Sequence, residues 1–401
     1  MAIASHSMVQ SYDTSSTSFS NSIFSAFGSW DGVYFVDIAD DGYNYENMHA
    51  FFPLYALLTR WSSSLLAPFL DSSTALLVAG WSLSNVCFIV AAYYLYLLGS
   101  DLLKNESLAK RSALFFCFCP SGIFMSSCYS ESLMCALTFG GMHYLELYRT
   151  KSSSFWTRHL HLIFCTLLFG LSSATRSNGL LLSLFIALYR LLESPHPLRA
   201  FPRFLLYWTY TAMLGLLAIG PQVVYFAYGI AAYCPSYNLT TTQAFFAIDT
   251  KMTADRPWCA KVVPNISAMY MFIQHEYWGV GPFAYYQLKQ IPNFLLAAPM
   301  IALASYSVWL GLKSGHAIFH RRELAPYFIY LAFLLGNALV VVHIQVITRF
   351  LAPCPPIFWA AASLVDKSST ALSTAGRLTV LYFLIFTVVG AVLFPTFYPW
   401  T

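Results

Sequence analysis

Charge is what this chain has least of. Lys, Arg, Asp and Glu make up 9% of its 401 residues, against about 25% in an ordinary soluble domain. A surface facing only water cannot be covered with so few charges, which excludes a soluble globular protein and points to lipid contact. Basic residues are missing altogether from the first 59 positions, where Arg60 is the first Lys or Arg. Residues 1–29 therefore lack the basic n-region of a signal peptide, and they lack an apolar run of the roughly 20 residues that a membrane helix needs. The nine cysteines contain no CxxC pair and no Cys/His spacing suited to zinc. A nucleotide-binding glycine loop, an HExxH pair and heptad runs are absent too. The formal charge of +4 is that of basic loops beside a membrane and gives no footprint for nucleic acid.

What is present is apolar sequence in long runs, 58% hydrophobic and 18% aromatic. The runs predict an all-α, polytopic transmembrane bundle of about ten spans, near 73–98, 112–127, 128–148, 156–174, 176–192, 203–231, 292–312, 324–347, 350–366 and 377–397. Residues 1–28 read as a Ser-rich disordered tail, and 29–397 as one membrane domain. Pro and Gly interrupt the runs at "FCPSG" (118–122) and "APCPP" (352–356). Such breaks persist in a membrane only where protein or a polar cavity satisfies the backbone. Residues 51–70, interrupted by Arg60 and three serines, predict a helix lying at the interface.

Basic residues orient the bundle. Loops near 99–111, 149–159, 190–203, 313–322 and 366–377 hold 14 of the 21 Lys and Arg, and alternating spans place all five loops on one side, the cytoplasmic one. The acidic stretch 29–72 and the long loop 232–291 then share the opposite, luminal side. Asn238 and Asn265 head sequons in that luminal loop, while Asn105 heads one on the cytoplasmic side. Cys234 and Cys259 share the loop, where an oxidising lumen permits a disulfide.

Four polar clusters fall on the luminal face: "WDGVYF" with Glu46 downstream, "ATRSNG" (174–179), "PWC…QHEYWGVG" (257–281) and "HIQVITRF" (343–350). Arg176 and Arg349 each cost about 2.5–3.5 kcal/mol in hydrocarbon. A lipid phosphate offsets that cost, because guanidinium matches phosphate oxygens bidentately; a partner carboxylate or snorkelling does so equally. Asp31 is a functional acid, a solvated loop acid or the N-cap of a helix over 32–39. Asp37, Asp40 and Asp41 read as a solvated helix end, with Gly42 just past it. Glu46 is a candidate partner for a basic group across the site. Asn178, His275 and Trp278 complete the polar candidates.

Taken in order, "WDGVYFVDIADDGYNYE…AFFP", "CPSGIFMSSCYSESL", "ATRSNG" and "QVITRFL" resemble the PIG-V family of glycosylphosphatidylinositol (GPI) mannosyltransferases, over residues 29–365. The resemblance implies a GT-C-type bundle in the endoplasmic reticulum membrane with its active site luminal. It implies transfer of a second, α1,6-linked mannose from dolichyl-phosphate mannose to the GPI precursor. Both substrates are lipids, no metal or cofactor is implied, and a small membrane partner subunit is compatible. Asp31 stands where the family's Trp-Asp motif has its acid and is the expected base. Arg176 and Arg349 are the expected holders of the donor phosphate. Trp30, Tyr34 and Trp278 are expected to stack on sugar faces, and Glu46, Asn178 and His275 to contact substrate. Family members begin with a membrane helix that residues 1–28 lack; either the chain is a shortened form or the acidic tail is carried across by the span at 73–98. The same bundle would also serve another dolichyl-phosphate-sugar transferase, a non-catalytic subunit or a transporter.

Overall fold

A computed structural model of the chain describes residues 24–150, 154–196, 200–234, 256–259, 267–313, 318–365 and 372–398. Asn238 and Asn265, and the tail up to residue 23, lie outside the described residues. Residues 24–28 depart from the expected disordered tail. They form a short 3-10 turn, Ser25–Gly28, with Phe24 and Phe27 packed on Trp81 at 6.4 and 5.5 Å between ring centroids.

Helix α1 (Gly32–Asp41) follows and stops where Gly42 adopts φ 84°. A 3-10 turn, Glu46–Ala50, leads to α2 (Pro53–Leu66), which starts on proline, a residue whose missing N–H costs nothing in a first turn. Helix α2 buries Tyr55, Ala56 and Thr59 and exposes Leu57, Trp61 and Leu65, an apolar stripe at i, i+4, i+8. That two-faced pattern is the one expected of a helix at the membrane interface.

Helix α3 (Ser72–Leu103) is capped by Asp71, whose carboxylate accepts from the Thr74 N–H at 3.0 Å. Asn105 caps α4 (Glu106–Cys117) in the same way through Leu108. The five-residue α5 (Gly122–Ser126) precedes α6 (Glu131–Thr150) and α7 (Phe155–Ser173). A 3-10 turn, Ser177–Leu182, runs into α8 (Ser183–Leu192), and α9 (Phe201–Tyr233) follows. Beyond it lie α10 (Ala268–Trp278), α11 (Ile291–Leu312), α12 (Ala325–Val340), the short α13 (Ile347–Phe350), α14 (Pro355–Leu364) and α15 (Thr374–Leu393).

The ten predicted spans correspond to helices of very unequal length. Among the described residues four helices are long and apolar enough to cross a bilayer: Ser72–Leu103, Phe201–Tyr233, Leu288–Leu312 and Thr374–Thr396. At 1.5 Å per residue the 32 residues of the first extend about 48 Å, beyond the roughly 30 Å hydrocarbon core. The predicted span 112–127 divides into α4 and α5, because Pro120 lies between them and cannot continue a helix. The predicted span 350–366 shrinks to the ten residues of α14, since Pro353, Pro355 and Pro356 confine its start. Residues 176–192 spend their first turn as a 3-10 helix, and 324–347 stops being α-helical at Val340.

The layering explains the difference. Helix α6 is buried along nearly its whole length, including Glu131, Ser132, Thr138 and Glu146, and Trp359 of α14 is fully buried. These inner helices face protein and tolerate polar residues. The outer ones show apolar stripes: Val86 and Ile89 on α3, Leu206 and Leu216 on α9, Leu381 and Ile385 on α15. Stripes of that size suit lipid and not water.

Candidate active site

The Trp30–Asp31–Gly32 turn is held from three directions. Trp30 takes the left-handed conformation (φ 57°), rare for a bulky residue. Its indole N–H donates to the Phe394 carbonyl at 3.0 Å and its ring meets Phe397 at 5.6 Å, so the end of α15 fixes the turn. The Cys128 N–H donates to the Phe27 carbonyl (2.9 Å), and Tyr129 OH to that of Ser29 (3.2 Å). Gly32 suits this closeness: a Cβ there would lie 3.2 Å from the Tyr129 ring, which would have to shift by a few tenths of an ångström. Asp31 occupies the cap position of α1, yet its carboxylate makes no capping bond. It is a third exposed and accepts from Arg349 Nη1 at 2.9 Å. The helix-capping alternative is thereby set aside.

Arg349 is one link in a chain of four charges. Its Nη1 lies 3.9 Å from Glu131 Oε1, and the same oxygen accepts from Arg176 Nη1 at 2.5 Å. Asp31, Arg349, Glu131 and Arg176 come from the N-terminus of α1, from α13, from the first residue of α6 and from the residue before the Ser177–Leu182 turn. Glu131 is buried at 2% exposure, and the N-terminus of α6 favours its negative charge. The Arg349 guanidinium lies over the Phe124 ring at 5.0 Å. Gly179 lets the arginine segment pack down on α7, since a Cβ there would meet the Ser172 carbonyl at 2.3 Å. Two arginines and two carboxylates make the group neutral as a whole. Both arginines thus meet carboxylates, the partner left open beside phosphate by the sequence. Glu131 Oε2 and Arg349 Nε are buried without hydrogen-bond partners among the described residues.

A cavity of about 450 Å³ opens beside α1, lined by Tyr34, Asp37, Tyr45, Glu46, Arg256 and Tyr277 among others. That volume falls within the roughly 300–1,000 Å³ of small-molecule sites. Asp31, Tyr34 and Asp37 are three residues apart along α1, so the cavity wall begins one turn from Asp31, about 5 Å along the axis. Glu46 is 3% exposed and accepts from Trp258 Nε1 (3.0 Å) and Tyr277 OH (2.9 Å), with Arg256 Nη2 at 3.6 Å. Its expected basic partner is therefore Arg256. The Cys234–Cys259 disulfide is formed, with 5.5 Å between Cα atoms, and ties the 256–259 segment to the end of α9. Burial, then the nearby Asp41 and Asp40 carboxylates, raise the pKa of Asp37 above the usual carboxylate value. Behind the cavity, His49 is enclosed by Tyr43, Tyr225, Tyr228 and Tyr233, and burial pushes its pKa down to about 3.

The remaining expected residues divide. Tyr34 stacks on Phe51 at 4.6 Å, and Trp278 meets the same ring edge-on at 6.0 Å, so both edge the cavity region through Phe51. Asn178 is buried beside Arg176, its Oδ1 without a hydrogen-bond partner among the described residues. His275 is exposed on α10 and makes no side-chain hydrogen bond to the charge cluster among the described residues. Glu131 and Arg256 were not singled out by the sequence, and Trp258 entered only as part of the 257–281 cluster. Glu131 lies inside the apolar run of "SSCYSESL", where the insertion cost that marked the arginines applies to it equally.

The family model described as mannosyltransferase (PIG-V) matches residues 2–401. GPI mannosyltransferase 2 of Drosophila melanogaster is 32% identical over 405 residues, covering 93% of this chain and 86% of that protein. GPI alpha-1,6-mannosyltransferase 2 of Homo sapiens is 31% identical over 385 residues, covering 86% and 74%. Among solved structures, the Archaeoglobus fulgidus oligosaccharyltransferase in its apo form superposes over 100% of this chain with a TM-score of 0.54 at 12% identity. The chain spans 55% of that structure, and the likeness is one of fold.

Proposed function

The chain belongs to the mannosyltransferase (PIG-V) family, and from that premise we propose the site chemistry that follows. The protein is a membrane-embedded glycosyltransferase of GPI biosynthesis. Its proposed reaction moves the second mannose, in α1,6 linkage, from dolichyl-phosphate mannose to the GPI precursor, on the luminal side of the endoplasmic reticulum membrane. The observation that carries the site assignment is the 2.9 Å contact between Asp31 and Arg349, continued through Glu131 to Arg176.

An acceptor hydroxyl oxygen attacks the anomeric carbon of the donor mannose as the bond from that carbon to the phosphate oxygen breaks. The hydroxyl proton passes to Asp31, and the bonding electron pair leaves with the phosphate. One displacement converts a β-linked donor into an α-linked product, and it needs a single base. Asp31 is suited to that role because it is partly exposed and spends no oxygen on capping α1. Arg349 and Arg176 are suited to the developing phosphate charge, since fixed guanidiniums in a dry site stabilise it without reorganising. The phosphate would displace part of the carboxylate pairing that the arginines make in its absence. No metal is needed in this scheme, because the leaving group is a lipid phosphate held by guanidinium. The cavity beside Tyr34 and Glu46 is the proposed seat of the acceptor glycan, its tyrosines offering flat faces to sugar rings.

Complementation of cells lacking the second GPI mannosyltransferase tests the function. The unmodified chain is expected to restore surface GPI-anchored proteins. Failure to restore them at normal expression would refute the assigned acceptor.

A further inference from the structure

We infer that Glu131 is the positioning residue of this site: its buried carboxylate holds Arg176 and Arg349 side by side and limits how tightly the pair grips phosphate. The inference rests on the mannosyl transfer proposed above. Three observations carry it. Glu131 Oε1 is shared, at 2.5 Å from Arg176 and 3.9 Å from Arg349, while Arg349 also reaches Asp31 at 2.9 Å. Among the described residues, the ion pairs linking Asp31, Glu131 and Arg176 all run through the two arginines, and the carboxylate between them sets their separation.

The second observation is how firmly Glu131 is anchored. The strand of chain just before it is pinned to the Trp-Asp turn through Cys128 N–H to Phe27 O and Tyr129 OH to Ser29 O. Ser84 of α3 donates to the Tyr129 carbonyl at 3.2 Å. The backbone that carries Glu131 is thus bound to the backbone that carries Asp31. Third, Glu131 is 2% exposed whereas Asp31 is a third exposed. Only Asp31 is open to a substrate hydroxyl; Glu131 acts through the arginines.

Two guanidiniums brought together without a counter-charge repel each other and bind any phosphate more tightly. The leaving lipid phosphate would then dissociate slowly. Glu131 brings the four-group cluster to neutrality, so that phosphate is stabilised while it forms and released afterwards.

The test compares Glu131→Gln, Glu131→Asp and Asp31→Asn with the unmodified full chain, purified in detergent, using dolichyl-phosphate mannose and a lipid-linked glycan acceptor. Dolichyl phosphate serves as product inhibitor. Glu131→Gln is expected to lower kcat about tenfold or more with the acceptor KM little changed. It is also expected to strengthen inhibition by dolichyl phosphate severalfold, and Glu131→Asp to recover part of both. A merely structural lesion would weaken phosphate binding instead. Weaker or unchanged inhibition in Glu131→Gln, at a normal yield of folded protein, overturns the inference. Should Glu131→Gln fail to fold, Glu131→Asp carries the same comparison, and inhibition identical to the unmodified chain overturns it. An unmodified chain that transfers no mannose overturns the parent function and this inference together. Normal transfer with Asp31→Asn inactive and Glu131→Gln unaltered overturns the inference alone.

Discussion

Arg349 Nη1 donates to Asp31 Oδ2 at 2.9 Å across 318 residues of sequence. The contact joins the first described helix to one of the last. The same closure is repeated by Trp30, whose indole bonds Phe394 across 364 residues. The chain before Arg60 has no Lys or Arg with which to hold its acid; the C-terminal third supplies one. An acidic stretch near the start of the chain and an arginine near its end are therefore two parts of one site.

Asp31→Asn keeps the shape of the side chain and removes its capacity to accept a proton. The expected fall in mannose transfer is about 10²- to 10⁴-fold, the usual contribution of a general base. Because Asp31 caps no helix and an Asn amide oxygen can still accept from Arg349 Nη1, the yield and apparent melting temperature of the purified variant should fall only modestly. Residual transfer within a few-fold of normal would remove Asp31 from the role of base.

The two arginines should separate by stability. Arg176→Met leaves the buried Glu131 without its 2.5 Å partner, and breaking a buried pair on one side costs about 3–5 kcal/mol. Arg349→Met leaves Glu131 still paired to Arg176 and strands only the more exposed Asp31. Thermal unfolding in detergent should therefore rank Arg176→Met below Arg349→Met. Arg349→Lys keeps the charge but loses the fork that lets one group address two carboxylates. It should fold normally and transfer slowly. The reverse ranking of the two methionine variants would contradict the pairing described.

Much of this arrangement was legible in the sequence, for a physical reason. Charge in an apolar background is costly, so the few charges that persist mark a site. That rule picked out Arg176 and Arg349, the Trp-Asp motif picked out Asp31, and the structure brings all three into one chain of contacts. Glu131 obeys the same rule, lying inside the apolar run predicted as the span 128–148. Span counting is less legible: among the described residues four helices are long and apolar enough to cross a bilayer, and other apolar runs are shorter or inner helices. Hydrophobicity measures burial, and α6 and α14 are buried by protein. His275, an ionisable residue near aromatics, lies exposed on α10. Which face of a helix turns inward is decided by neighbours hundreds of residues away.

The Cys234–Cys259 disulfide should matter for the acceptor cavity more than for the chemistry. It holds the segment from which Arg256 and Trp258 reach Glu46. Cys234→Ser is expected to destabilise the fold by about 2–4 kcal/mol on the scale of native disulfides. It should raise the acceptor KM with a smaller change in kcat, because Asp31 and its arginine lie outside this loop. Unchanged acceptor KM in the serine variant, or in the reduced protein, would dissociate the disulfide from the cavity.

Acid should destabilise the region around the Glu46–Ala50 turn through His49. Burial holds this ring neutral in the fold, with its pKa pushed down to about 3, whereas an unfolded histidine titrates near about 6.5. Between those values the unfolded chain binds the extra proton, so stability falls as pH drops from about 6.5 towards 3, by at most about 1.4 kcal/mol per pH unit for one group. Asp37 works in the opposite sense. Its raised pKa, from burial and the neighbouring Asp41 and Asp40, means that the folded chain takes up its proton first, which offsets part of the loss near the bottom of the range. His49→Phe preserves an aromatic ring among Tyr43, Tyr225 and Tyr228 and removes the titration. Its apparent melting temperature should therefore fall less than that of the unmodified chain between pH 6.5 and 4.5. Parallel pH curves for the two proteins would show that His49 accepts its proton in the folded state as easily as in the unfolded one.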